Sequence, residues 1–200
     1  MELYLLYFML SNLEKYRIIL GSQSPRRYEL LKGLDVDFEV RSKAIDESYP
    51  VDMKAEDVPA YLAELKATAY HDILDRETLL ITSDTIVIQS GEILEKPLSV
   101  NDAKSMIAKL SGNSHKVVTG VCIQTRNKKV TFSDKTKVHF NTLSAAEIQY
   151  YVHRYQPFDK AGSYGVQEWI GYMGIKHLEG SYYNVMGLPV HKVYEVLKEF

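Results

Sequence analysis

The chain has 200 residues, 46% of them hydrophobic, with 24 basic and 26 acidic side chains. That length and apolar content suit one compact domain or two closely joined lobes. The near-balance of charge excludes the strong basic excess of a non-specific nucleic-acid binder, so any cationic site must be local.

Cys122 is the single cysteine, which rules out an internal disulfide. It sits in the mostly apolar run 117–123 and reads as a buried, inert thiol, a usage that suits the cytoplasm. Residues 3–10 are apolar, but a bilayer span needs roughly 20 such residues. A secretory signal needs a basic start, and Glu2 is the only charged side chain before the run. The first 16 residues therefore read as an N-terminal extension and 17–200 as the domain. Met9 is an alternative start, which would leave 1–8 dispensable.

Residues 17–20 form a short, largely apolar strand candidate that ends at Gly21-Ser22-Gln23. A helix is predicted over 24–31, with Ser24 as N-cap, Pro25 at the first helical position and Gly33 at the C-terminal cap. Residues 55–74 read as one helix, because Leu62, Leu65, Ala69 and Ile73 recur on one face. A strand over 79–81 runs into Ser83-Asp84-Thr85. Residues 86–88 and 92–94 flank Gln89-Ser90-Gly91, a hairpin signal. Residues 99–110 are helical by their apolar spacing, with Gly112 as the stop.

Residues 117–124 and 130–140 read as strands paired around Arg126-Asn127. Ser144 and Glu147 form a capping-box pattern for a helix reaching Tyr155. The stretch 161–187 is Gly-rich and reads as irregular. Pro189 opens a last helix with Val190, Val193, Tyr194 and Leu197 on one side. Alternating helices and strands give an α/β class with a mixed sheet.

Four segments carry chemistry. Arg26 and Arg27 lie in the first turn of the helix capped by Ser24, where the helix dipole disfavours cations. A polyanion held by the free N–H groups, Ser22, Ser24 and the two guanidinium forks would explain them; a solvated helix start is the alternative. Asp84 lies at the end of an apolar run, so it is hydrogen-bonded, paired or metal-bound, or else caps its own turn. Asp46, Glu47, Lys66 and Lys96 are either surface charges or a set able to hold Mg²⁺ and neutralise a polyphosphate. In the segment 159–167, Gln167 offers an amide donor and acceptor that complement the edge of uracil or thymine. A structural loop with a surface glutamine is the other reading. The six histidines show no zinc spacing, and no Walker or dinucleotide glycine pattern occurs.

Taken together and in order, these segments resemble the Maf family of nucleotide pyrophosphatases. The resemblance rests on Ser22-Gln23-Ser24-Pro25-Arg26-Arg27 through Leu31, Asp46-Glu47, and Leu62-Ala63 through Lys66-Ala67. It continues with Asp84-Thr85-Ile86-Val87, Lys96-Pro97, and Leu110-Ser111-Gly112 through Val121. Asp159-Lys160-Ala161-Gly162 through Gln167 and Gly180-Ser181-Tyr182 through Pro189 complete the set. It spans about residues 17 to 200.

The resemblance implies two lobes around a deep cleft, an architecture related to inosine triphosphate pyrophosphatases, a Mg²⁺ or Mn²⁺ cofactor and often a homodimer. It makes Asp84 the catalytic base and sets Glu47, Lys66 and Lys96 among the active-site charges; on chemical grounds Glu47 and Asp84 would hold the ion, which leaves Asp84 as base, metal ligand or both. Ser22, Ser24, Arg26, Arg27, Thr85 and Gln167 become substrate-binding. The combination of Arg26, Thr85 and Gln167 implies the subgroup acting on dTTP and UTP. The alternatives are a 7-methyl-GTP or ITP-type pyrophosphatase, or a nucleotide-binding cell-division regulator without catalysis. Ser83 and Glu95 depart from the family pattern without removing a proposed catalytic group. No nucleic-acid or membrane partner is expected.

Overall fold

The computed structural model describes residues 9–200, so the expectation about residues 1–8 lies outside the described residues. Seven strands form one mixed sheet: β1 (Arg17–Leu20), β2 (Glu39–Val40), β3 (Thr78–Gln89), β4 (Glu92–Leu94), β5 (Ser114–Gln124), β6 (Lys129–Phe140) and β7 (Ile175–Glu179). The order is β2-β1-β3-β5-β6-β7, with β4 paired to β3. β1 runs parallel to β2 and β3, and the remaining pairs are antiparallel. The helices are α1 (Pro25–Lys32), α2 (Val58–Thr68), α3 (Val100–Leu110), α4 (Ala145–Tyr155), α5 (Trp169–Gly174), α6 (Tyr182–Met186) and α7 (Val190–Leu197).

The N-caps expected at Ser24 and Ser144 are present, and the structure adds one at Ser99. The Ser24, Ser99 and Ser144 side chains each accept a backbone N–H of the first helical turn, and Ser144 with Glu147 forms the full capping box. The β3–β4 hairpin turns through Ser90 and Gly91, both at positive φ, as a two-residue hairpin loop requires. Cys122 is fully buried, and burial raises its thiol pKa.

Three expectations are corrected. β3 is one strand of 12 residues, and Asp84 lies in its middle rather than at its end. β5 pairs with it continuously from Leu80 to Ile88, so polar side chains at 82–85 do not interrupt the ladder. The helix expected over 55–74 is three pieces: a 3₁₀ turn at Ala55–Asp57, α2, and a second 3₁₀ turn at His71–Ile73. Pro59 marks the start of α2, and at its other end the bend puts Tyr70 into the core, with its hydroxyl on Arg41 O. The stretch 161–187 holds α5, β7 and α6, elements of five or six residues that are too short to show a period.

Along β3 the side chains alternate between two faces. Leu80, Ile86 and Ile88 face α2 and pack with Val58, Leu62 and Ala63. Leu79 and Ile81 point the other way, into a cluster with Leu31, Leu188 and Leu197. α2 lies directly on β5: a Cβ at Gly120 would overlap the Pro59 carbonyl. Only glycine permits this approach, and the approach fixes where Lys66 points.

Leu10 and Leu13 are 1% and 2% exposed and belong to the cluster of Leu31, Val36 and Leu197. Asn12 Nδ2 donates to Leu197 O at 2.8 Å. Residues 10–13 are thus joined to the same core as α1 and α7.

Candidate active site

The site begins as a notch in the sheet. On one edge of β3, β1 pairs with residues 78–81 and β4 with 87–89. Between them, residues 82–86 meet no strand of the described residues on that edge. The chain leaves β1 at Gly21 and turns through Ser22-Gln23 into α1, whose N-terminus faces the notch.

Arg27 fills part of it. Its Nη1 donates to Ser83 O at 2.7 Å, its Nε to Gly187 O at 2.9 Å and its Nη2 to Thr85 Oγ1 at 3.1 Å. Burial lowers its pKa, with Asp84 opposing the shift. The Thr85 hydroxyl is also engaged. Thr119 gives its one proton to Asn184 O at 2.9 Å, so the 2.9 Å contact between Thr85 and Thr119 is donated by Thr85. Arg27 and Thr85 therefore line the cleft as members of an internal network.

Asp84, on the α2 face, meets Lys66. Lys66 Nζ lies 2.6 Å from Asp84 Oδ1 and 3.2 Å from Glu47 Oε1. Lys66 and Asp84 are largely buried, whereas Glu47 is half exposed on the irregular segment that follows β2. Lys96 is exposed and has no ion-pair partner among the described residues. Ser22 Oγ accepts from Ser24 N at 3.2 Å. Asp46 lies beside Ser48 and does not line the cleft.

Two compartments meet here. The inner one encloses about 130 Å³ and is walled by Val87, Val117, Tyr164, Val185 and Met186, with Gln167 at its side. Gln167 Oε1 is buried without a hydrogen-bond partner among the described residues. The outer one, about 450 Å³, is lined by residues 21–27, Glu47, Lys66 and Lys96. Together they are of the size usual for small-molecule sites, roughly 300–1,000 Å³. Ser22 and Glu47 thus line the outer compartment, Asp84, Thr85 and Gln167 the inner one, and Ser24, Arg26, Arg27, Lys66 and Lys96 both.

The structure adds a chain of charges that the sequence did not single out. Arg26 Nη1 pairs with Asp159 Oδ2 at 2.8 Å, across the cleft. Lys160 Nζ bridges Asp159 Oδ1 at 2.7 Å and Glu168 Oε1 at 3.1 Å. Tyr151 OH donates to Glu168 and accepts the Gly165 N–H. Burial alone would raise the Asp159 pKa, but hydrogen bonds from Lys160 and Arg26 outweigh it and hold the carboxyl at about 2. The network clamps the 159–168 segment that carries Gln167. Its one sequence signal was the segment 159–167 itself; the pairing with Arg26 spans 133 positions.

No helix among the described residues is long and apolar enough to cross a membrane. Several bacterial proteins named "dTTP/UTP pyrophosphatase" are similar to this chain. One from Porphyromonas gingivalis is 55% identical over 195 residues, covering 96% of this chain and 98% of its own. One from Bacteroides fragilis is 52% identical over 96% of this chain and 100% of its own. One from Flavobacterium johnsoniae is 49% identical over 92% and 95%. The Staphylococcus aureus Ham1 protein superposes in part, with a TM-score of 0.46 and 14% identity over 62% of this chain and 71% of that one. The pattern described as "Maf-like protein" matches residues 17–200. The chain belongs to the Maf family.

Proposed function

We propose that the protein hydrolyses nucleoside triphosphates, dTTP and UTP foremost, between the α- and β-phosphates to give the monophosphate and pyrophosphate. The observation that carries this is the junction of two unlike compartments. The inner one has one apolar wall, of Val87, Val117, Tyr164, Val185 and Met186, beside Gln167, whose amide oxygen is buried without a partner among the described residues. The outer one is cationic and opens on the N-terminus of α1. The first suits a pyrimidine base and the second a triphosphate. Relatives at 49–55% identity that are named dTTP/UTP pyrophosphatase support the same reading.

Asp84 Oδ1 and Glu47 Oε1 both converge on the Lys66 ammonium. Lys66 is the cation that the two carboxylates share here, and a Mg²⁺ ion beside it would draw on the same two oxygens, since Mg²⁺ is commonly bound by one or two carboxylates plus substrate phosphates. Glu47 and Asp84 would hold the ion, and when bound it would neutralise triphosphate charge. Ser22, Ser24, the Arg26 side chain and the Arg26 N–H, the one uncommitted amide in the first turn of α1, bind phosphate oxygens. Asp84 takes the proton of a water whose oxygen attacks the α-phosphorus. The bond from that phosphorus to the bridging oxygen breaks, and pyrophosphate leaves beside Lys66 and Lys96. Positioning and charge stabilisation supply most of the acceleration.

Incubation of dTTP or UTP with Mg²⁺, followed by phosphorus NMR, is expected to show the monophosphate and pyrophosphate as products. Orthophosphate with a diphosphate would overturn the assignment.

Gln167 is the group that reads the base. Its free Oε1 can accept the N3–H of uracil or thymine, while its amide nitrogen donates to a ring carbonyl. A guanine or adenine presents a different edge and leaves buried polar groups unpaired, at roughly 1–3 kcal/mol each. Gln167→Ala is expected to lower kcat/KM for dTTP and UTP by about 5- to 150-fold, the equivalent of that range, and to affect poor substrates less. The check is a panel of dTTP, UTP, CTP, GTP, 7-methyl-GTP and ITP with both proteins. A variant that keeps the full pyrimidine preference would move base reading elsewhere, and a wild type that prefers 7-methyl-GTP would put the chain in the sibling subgroup.

A further inference from the structure

The two compartments share six lining residues: Ser24, Arg26, Arg27, Lys66, Lys96 and Asp159. A nucleotide with its base in one and its phosphates in the other must thread its sugar past them. Four of the six are cations and attract phosphate. Ser24 caps α1 through its oxygen, and the hydroxyl proton left to it is assigned above to a phosphate oxygen. Three carboxylates come near this junction, but Asp84 and Glu47 are held on Lys66 at 2.6 and 3.2 Å and are assigned above to the water and the metal ion, which leaves Asp159.

An ionised carboxylate facing the path of a polyanion repels it and lowers affinity unless it makes a contact of its own. Each Asp159 oxygen has one ion-pair partner, Lys160 on Oδ1 and Arg26 on Oδ2. A carboxylate offers about four lone-pair sites, so each oxygen retains one. The side chain is 57% exposed, so those sites are open to a ligand. Both flanking cations hold the group fixed, which suits it to receive a donor at a set position.

We infer that Asp159 reads the sugar, accepting a hydrogen bond from the 3′-hydroxyl of the nucleotide at the junction of the two compartments. A phosphate cannot donate there, and the base is held deeper, beside Gln167. The 3′-hydroxyl is common to ribo- and deoxyribonucleotides, so this contact recognises a nucleoside without separating dTTP from UTP. The inference rests on the pyrophosphatase reading above.

The test compares kcat/KM for dTTP and 3′-deoxythymidine triphosphate in the wild type, Asp159→Asn and Asp159→Ala. Hydrogen bonds to charged groups predict a wild-type preference for dTTP on the order of 10- to 100-fold. Asp159→Ala should level the two substrates, and Asp159→Asn should reduce the gap. If Asp159 served only to orient Arg26, its loss would slow both substrates by the same factor and leave the ratio intact; that result overturns the inference. So does a wild type that hydrolyses both equally. Should the variants turn over too slowly, the same ratio can be measured from binding of the α,β-imido analogues. A wild type inert toward dTTP would instead remove the pyrophosphatase reading, and this inference with it.

Discussion

Replacing Asp84 with asparagine is expected to lower kcat by about 10²–10⁴-fold while leaving the protein folded. The amide keeps the side chain's size but can neither take a proton at neutral pH nor carry charge. The fold survives because nothing buried loses its last partner. The amide oxygen can still accept from Lys66 Nζ, now at 2.6 Å from the carboxylate. Lys66 also keeps Glu47 as a counter-ion at 3.2 Å. Turnover of dTTP measured beside a thermal melt separates the two effects. Near-normal kcat in a folded variant would take Asp84 out of the catalytic role.

The second large effect concerns stability. A chain beginning at Met9 is expected to match the whole chain in melting temperature and activity, whereas one beginning at Glu14 should be strongly destabilised. The shorter chain loses Leu10 and Leu13, both almost fully buried, and the Asn12 bond to the end of α7. A single buried Leu→Ala change typically costs about 2–5 kcal/mol. In a domain of this size each kcal/mol lowers the melting temperature by about 2–4 °C, so Leu13→Ala alone should lower it by about 4–20 °C. Removing both leucines should exceed the single change. The comparison is a melt of all three proteins. An unchanged melting temperature for the chain starting at Glu14 would show that these contacts contribute little. The relatives' alignments reach 96% of the chain and so extend N-terminal to Arg17, where the family pattern begins.

How far the sequence foretold these features depends on what each one rests on. Caps and turns were legible because Ser24, Ser144 and the Ser90-Gly91 turn act through their own neighbours. The single run of β3 was not. Its polar centre reads as a break, and only the β5 ladder together with Lys66, Arg27 and Thr119 makes Ser83, Asp84 and Thr85 tolerable inside a sheet. The segment 161–187 was missed because α5, β7 and α6 are shorter than the window in which a period shows. At the site, the convergence of Lys66, Asp84 and Glu47 was legible only through the ordered family motifs, since taken singly each could be a surface charge. The Arg26–Asp159 pair and the commitment of Arg27 to carbonyl oxygens required the folded chain.

The placement of Asp84 inside a long ladder also determines which parts of the site can move. Freeing this carboxylate from its position would mean parting β3 from β5, an opening close to global unfolding in free energy. The segment that carries Glu47 has few buried side chains and no regular backbone ladder, the signature of a region that opens at little cost. The 159–168 wall is braced by Lys160, Glu168 and Tyr151. In the proposed arrangement, adjustment to a substrate falls to one side of the cleft: the base meets a preset wall, and the phosphates meet the part of the protein that can still adapt to them.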